Sequence, residues 1–219
     1  MIDKKLATKS RPHQTYYLAD GTKVPGVTTV LSIIAKPALI TWANKMGLNG
    51  IDTTKYVDAA GNAGTACHEM IEAHLKGIEF DRSSYAEDIL DLAENGFLKY
   101  LDWEAQHKLE DIHSEMQLVS ERFRFGGTAD LYCKLDDIPT LIDIKTNATG
   151  IFQENLYQVA GYRILLEENG YPVERMVIIR VGKSDQPDLE TKEVGEYMHY
   201  RKVFLAALNL HQILNEKEV

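Results

Sequence analysis

Cysteine is nearly missing from this chain: Cys67 and Cys133 are the only two among 219 residues. Two isolated thiols support neither a disulfide framework nor a four-cysteine metal or iron–sulfur site, and they point to a reducing, cytoplasmic location. Long apolar runs are missing too. No stretch approaches the length of a membrane span, and the opening MIDKKLATKSRPH has no apolar core of a secretory signal. Internal repeats, low-complexity tracts and Pro/Gly-rich linkers are absent as well, which favours a single domain over 1–219.

An excess of basic charge is also lacking. The net charge is −9, which disfavours non-specific, salt-driven binding of nucleic acid and would confine any such contact to a small site. The charge is unevenly spread. Residues 1–45 carry Lys4, Lys5, Lys9, Arg11, Lys23, Lys36 and Lys45 against Asp3 and Asp20, a balance of +5. Residues 68–115 carry thirteen acids and four bases, a balance of −9. Such asymmetry permits a local basic surface on an acidic protein.

What is present reads as a chain of helices interrupted by strands. QTYYLADGTKVPGV predicts a short hairpin turning at Asp20-Gly21. TTVLSIIA and PALITWANKMG predict two short helices, with Pro37 in the first turn of the second and Gly47 at its end. NAGTACHEMIEAHLKG predicts a helix closed by Gly77, and a longer helix is expected from Ser84, whose Ser84-x-x-Glu87 spacing is a capping box, to about His107. IHSEMQLVS, GGTADLYCKL and TLIDIKT then alternate as strands on short connections, an antiparallel meander. A helix over FQENLYQVAGYRILLEENG, a central strand over VERMVIIRVG and an amphipathic helix at about 200–217 complete the order. Helix, three strands, helix, strand, set among extra helices, predicts a mixed α/β fold with one sheet covered by helices.

The chemistry concentrates on the meander. In TLIDIKTN, side-chain alternation puts Asp143 and Lys145 on one face and Ile142 and Ile144 on the other. On the preceding strand, Ala129, Leu131, Cys133 and Leu135 are expected to share one face, with Asp130 opposite them beside Thr128 and Tyr132. Pairing through the DDIP turn can then set Asp130 beside Asp143, two carboxylates and an ammonium on one surface. Two carboxylates repel unless a hard divalent cation joins them. The alternative is a buried Asp–Lys pair with an unrelated Asp at a strand edge. Gly126-Gly127 suits a position where an approaching backbone needs room. His68 and Glu72 lie four apart on a helix, as do Gln158 and Tyr162, with Gly161 between the latter leaving room for another backbone.

The order of these features is more specific than any one of them. Gly-Thr-x-x-His-x-x-x-Glu on a helix, Gly-Thr-x-Asp on a strand, Asp-x-Lys-Thr on the next strand and Gln-x-x-x-Tyr on the next helix follow one another. This pattern resembles the RecB-type, phage exonuclease branch of the PD-(D/E)XK nuclease superfamily. The likeness covers about half the chain, a motif-bearing core at about 61–181, with 1–60 as an N-terminal extension. The four cluster-ligating cysteines of several relatives are not here, nor is any helicase motif, so a free-standing nuclease without an iron–sulfur cluster is implied.

The resemblance implies a restriction-endonuclease-like αβββαβ core and one or two Mg²⁺ or Mn²⁺ ions held by Asp130, Asp143, the main-chain carbonyl of Ile144 and His68. Asp130, Asp143 and Lys145 become the catalytic residues, with Lys145 orienting the attacking water and offsetting charge on the phosphate. Gln158, Tyr162 and Thr65 become nucleic-acid contacts, Thr65 through the start of its helix. Glu72 either orients His68 or is simply solvated, and Glu115 either approaches the metal or is an ordinary surface carboxylate. Trp42, Tyr16 and Tyr17 either stack on bases or pack as core and rim. The implied activity is a DNA exonuclease of recombination, repair or replication in a bacterial or phage-infected cytoplasm. A single-strand annealing or recombination protein is the implied partner, and the number of chains in the assembly is left open. A structure-dependent endonuclease and a catalytically silent nucleic-acid-binding module are the competing readings. Polarity, strandedness and DNA against RNA are not fixed by these residues.

Overall fold

The computed structural model describes residues 14–216. The expected basic residues Lys4, Lys5, Lys9 and Arg11 lie outside them, as does the last position of the expected C-terminal helix. An N-terminal ribbon comes first, β1 (Tyr16–Tyr17) and β2 (Lys23–Val24), turning at Gly21, whose φ of +82° suits glycine. Helices α1 (Val27–Leu31), α2 (Pro37–Leu48), α3 (Thr53–Lys76) and α4 (Glu87–Glu104) follow. A five-stranded sheet then runs β3 (Leu109–Ser120), β4 (Phe125–Leu135), β5 (Ile138–Lys145), β6 (Arg175–Val181) and β7 (Leu189–Glu193), in that spatial order. Helix α5 (Gln153–Glu168) carries the chain from β5 to β6, and α6 (Tyr197–Asn215) closes it. The meander β3–β4–β5 is antiparallel, β5–β6 is parallel because a helix joins them, and β6–β7 is antiparallel.

The sheet has a packed layer on each face. Leu141, Met176 and Ile178 face α1, α5 and α6, where Phe204 and Leu165 are fully buried. Leu131, Cys133, Ile142, Ile144, Val177 and Ile179 face α3 and α4, with Cys67, Ile71 and Tyr100. The turn between β4 and β5 is the tight one that Asp136-Asp137 allows, with φ of +51° and +67°. The Asp136 carboxylate locks it by accepting from the Lys108 amide at 2.9 Å.

Several expectations are corrected. Helix α3 starts nine residues before Asn62, where the Asp52 side chain accepts from the amides of Thr54 and Lys55. Ser84 does not cap α4. Its hydroxyl donates to Asp81, which also takes the Ser83 amide to make a 3-10 turn at Arg82–Ser84, and α4 begins at Glu87. Strand β7 was not anticipated. Gly161 makes room for the Phe204 ring rather than for a backbone: an added Cβ would lie 2.8 Å from it. Gly126 does meet a backbone, since its amide donates to Pro25 and it bridges Gly26.

The largest correction concerns β4. Ala129 lies in the α5-side cluster together with Tyr132, while Leu131, Cys133 and Leu135 lie on the α3 side. Alternation therefore reverses next to Asp130. The partner strand shows why: Glu115 has φ +51°, a left-handed conformation in mid-strand, and it falls opposite Asp130 between the pairs Ser114–Leu131 and Met116–Ala129. Such a backbone costs about 1–3 kcal/mol and persists only where its surroundings hold it.

Candidate active site

Asp130 sits where β4 and β5 part company. Their ladder ends at Leu131–Ile142, so Asp130 and Asp143 are not paired residues of one flat surface, as the sequence suggested. Instead the Asp130 side chain turns into the gap, and its Oδ2 accepts from the Ile144 amide at 2.8 Å. Its Oδ1 lies 3.9 Å from Nδ1 of His68, presented by α3. Glu115 completes the group: one ligand atom each from His68, Glu115 and Asp130 lies within 4.8 Å of the others, and all three side chains are half-buried. Ile144 lines the same small cleft between α3 and the sheet.

Asp143 approaches from the other side of the gap, on the face of β5 that carries Leu141. It is 1% exposed, and neither carboxylate oxygen has an oriented hydrogen bond. Lys145 Nζ, 2.8 Å from Oδ2, is its ion-pair partner. Burial pushes the Asp143 carboxyl up to about 7, the Lys145 ammonium opposes this, and the nearby Asp130 charge adds to it. The buried Asp143 carboxylate with no oriented hydrogen bond, near the Asp130 carboxylate, an imidazole and a third carboxylate, offers the donor chemistry of a divalent-cation site. His68, Glu115 and Asp130 are the side chains whose ligand atoms converge closely enough to hold such a cation.

Other expected site residues fare differently. Gln158 Nε2 donates to the Tyr162 hydroxyl at 2.8 Å. Tyr162 is buried among core side chains, and burial, then Asp130 and Asp143, raise its phenol well above the ordinary value. Its hydroxyl thus belongs to the carboxylates' surroundings and supports Gln158, rather than reaching a ligand itself. Thr65 lies in the fourth turn of α3, so the helix amides there are spent within the helix and no N-terminal anion site exists at that position. Glu72 pairs with Lys76 along α3 and lines the same small cleft as His68. Glu115, expected either to approach Lys145 or the metal or to be an ordinary surface carboxylate, stands together with His68 and Asp130. Its signal in the sequence was only a carboxylate in a polar strand, because the backbone reversal that aims it is not encoded in side-chain alternation.

Tyr16 proves to be a packing residue: its ring covers Gly126, and its hydroxyl pairs with Thr128 Oγ1 at 2.9 Å, two residues from Asp130. Tyr17 is exposed, and Trp42 packs against Tyr56. Gly64 lets α3 close on the end of β5, since a Cβ there would stand 2.7 Å from Thr146 Oγ1. Lys183 donates to the Thr146 carbonyl at 2.6 Å, and its burial pulls the ammonium below its ordinary value.

No protein-family model and no curated protein matches this chain. Among solved structures it is similar to a provisionally named exonuclease from Eubacterium rectale, with TM-score 0.48 and 12% identity over 69% of this chain. The match spans 66% of that protein, just under two thirds of its length. It is also similar to an alkaline exonuclease from Laribacter hongkongensis, with TM-score 0.40 and 15% identity over 87% of this chain and 91% of that one. Both bear exonuclease names. At this distance the activity of the present chain has to be argued from its own residues. No helix of the described residues is long and apolar enough to cross a membrane.

Proposed function

We propose that this protein is a divalent-metal-dependent deoxyribonuclease, acting as an exonuclease on linear DNA in recombination, repair or replication. The observation that carries this is the gathering of His68, Glu115 and Asp130 around one point, beside the buried, unsatisfied carboxylate of Asp143 and its Lys145 partner. A Mg²⁺ or Mn²⁺ ion held there would supply charge stabilisation for in-line displacement at phosphorus. The presence of an imidazole in the donor set suits Mn²⁺ at least as well as Mg²⁺.

The chain's own groups account for the rest. The Ile144 amide fixes one oxygen of Asp130, leaving the other toward His68. Asp143 holds the Lys145 ammonium at the edge of the gap, where it hydrogen-bonds the attacking water and offsets charge on the phosphate oxygens. Gln158, oriented by Tyr162, offers its amide to the sugar–phosphate backbone and fixes register without reading sequence.

End-labelled linear DNA incubated with Mg²⁺ or Mn²⁺ should be reduced to short products, while a covalently closed circle stays intact. EDTA should stop the reaction, and Asp143→Ala or Lys145→Ala should slow it by about a hundredfold or more. Failure of the wild type to cut DNA with either ion, or full activity in both variants, would refute the assignment. Cutting of the circle would make the enzyme an endonuclease.

A further inference from the structure

Between Gly21 and Ile51 this acidic protein has no Asp or Glu; Lys23, Lys36 and Lys45 are the charged residues there. Much of that stretch is α2, which is rich in apolar side chains yet buries none of its residues. Ile40 is 75% exposed and Leu48 81%. Helices are ordinarily stabilised by an apolar face packed on something, and α2 shows such side chains to solvent.

Its position gives the exposure a meaning. Helix α3 runs antiparallel to β5: His68 lies beside Asp130 and Ile144, and Gly64, one turn earlier, meets Thr146 just past the strand's end. The residues from Thr53 to Ala63 therefore project beyond the carboxyl end of β5, by about 16 Å at 1.5 Å per residue. Helix α2 folds back from the tip of that projection, with Trp42 on Tyr56 at 5.9 Å between ring centroids. Its other end is tied to α5, where Lys36 Nζ lies 3.3 Å from Glu154 Oε1. Glu154, Gln158 and Tyr162 are spaced by four, so they share the face of α5 that leads down to Asp130 and Asp143. Helix α2 thus ties the first turns of α3 to the first turn of α5, the two helices that flank the site.

We propose that this strap binds unpaired nucleic-acid bases and delivers a single strand to the site by its end; the identity of the strand rests on the nuclease function proposed above. Duplex bases hide their faces in the stack, whereas unpaired bases offer them to aromatic and apolar side chains, here Leu39, Ile40, Trp42 and Tyr56. Helix α2 itself carries no acid to repel phosphates, and its Lys45 makes no ion pair among the described residues. A strap fixed at both ends admits a chain at its terminus more readily than at its middle.

The test is binding of fluorescein-labelled oligo(dT) of about twenty nucleotides in EDTA, beside a blunt duplex of the same length. Trp42 also reports directly, because the other tryptophan, Trp103, is 3% exposed. The single strand should quench Trp42 emission. Trp42→Ala with Tyr56→Ala should weaken single-strand binding by about tenfold or more and leave duplex binding within about twofold. Ile40→Glu, at a side chain that packs on little, should do the same with the fold untouched. Equal single-strand binding by wild type and both variants would overturn the proposal. So would loss of self-association in the variants with strand binding intact, since the strap would then be an interface between copies. Strand binding through the strap without any cleavage would sink the nuclease function and leave the strap standing; cleavage with strand binding indifferent to Trp42, Tyr56 and Ile40 would do the reverse.

Discussion

Asp143→Asn separates the electrostatic burden of the site from its chemistry. The wild-type carboxyl is fully buried and pushed from 3.8 to about 7. The folded state therefore holds this proton more tightly than the unfolded state does. Stability must fall as pH rises through the window between those two values, and then level off. At about 1.4 kcal/mol for each tenfold in proton affinity, the whole window is worth at most about 4 kcal/mol. Between pH 5 and pH 8 the loss is about 2–3 kcal/mol, or about 5–10 °C in Tm for a chain of this size. The asparagine variant has the same shape and no proton to lose, so in EDTA its Tm should lack this decline. Mn²⁺ or Mg²⁺ at pH 8 should restore the wild type, because a bound cation favours the ionised carboxylate, and should raise the variant far less. Thermal melts of both proteins at pH 5 and pH 8, with EDTA and with each ion, decide the matter. Parallel pH profiles in EDTA, or equal stabilisation of both proteins by the ions, would refute the account of Asp143 as a cation ligand held at electrostatic cost.

Glu115→Gln should lower divalent-ion affinity and nuclease activity by about tenfold to a hundredfold, whereas Glu72→Gln, whose carboxylate pairs with Lys76, should leave both within about threefold; ion titration of activity distinguishes them. Both cysteines are buried, and burial raises each thiol to about 12. The native protein should therefore show no rapid reaction with a thiol-specific disulfide reagent at pH 8, and two equivalents on unfolding; prompt labelling of the folded chain would contradict the packing described here.

Periodic features were legible in the sequence. Strand alternation placed Asp143 with Lys145, Asp-Asp marked the β4–β5 turn, and the spacing of four placed Gln158 against Tyr162. Features that break periodicity were not. The left-handed Glu115 reverses the facing of β3 and β4, so simple alternation put Ala129 on the wrong side. The first turns of α3 carry no apolar stripe because they project away from the body of the fold, and they read as loop until Asp52 is seen capping them. Strand β7 is polar apart from Leu189, an outer strand exposed along most of its length. At Ser84 a local pattern lost to a neighbour, since Asp81 takes the Ser84 hydroxyl and, through the Ser83 amide, builds its own turn. The motif residues themselves were legible, but the membership of Glu115 among them needed the backbone.

The parting of β4 from β5 has a topological meaning. A continuous sheet is a wall, and side chains rooted in its two covering layers cannot touch. Here His68 belongs to one layer and Tyr162 to the other, yet both feel Asp130. They do so because the wall has a slot, and Asp130 stands in the slot rather than on either side of it. Whatever tightens the slot, whether a straighter β3 or a longer ladder to Ile144, would rebuild the wall and divide one site into two unrelated halves.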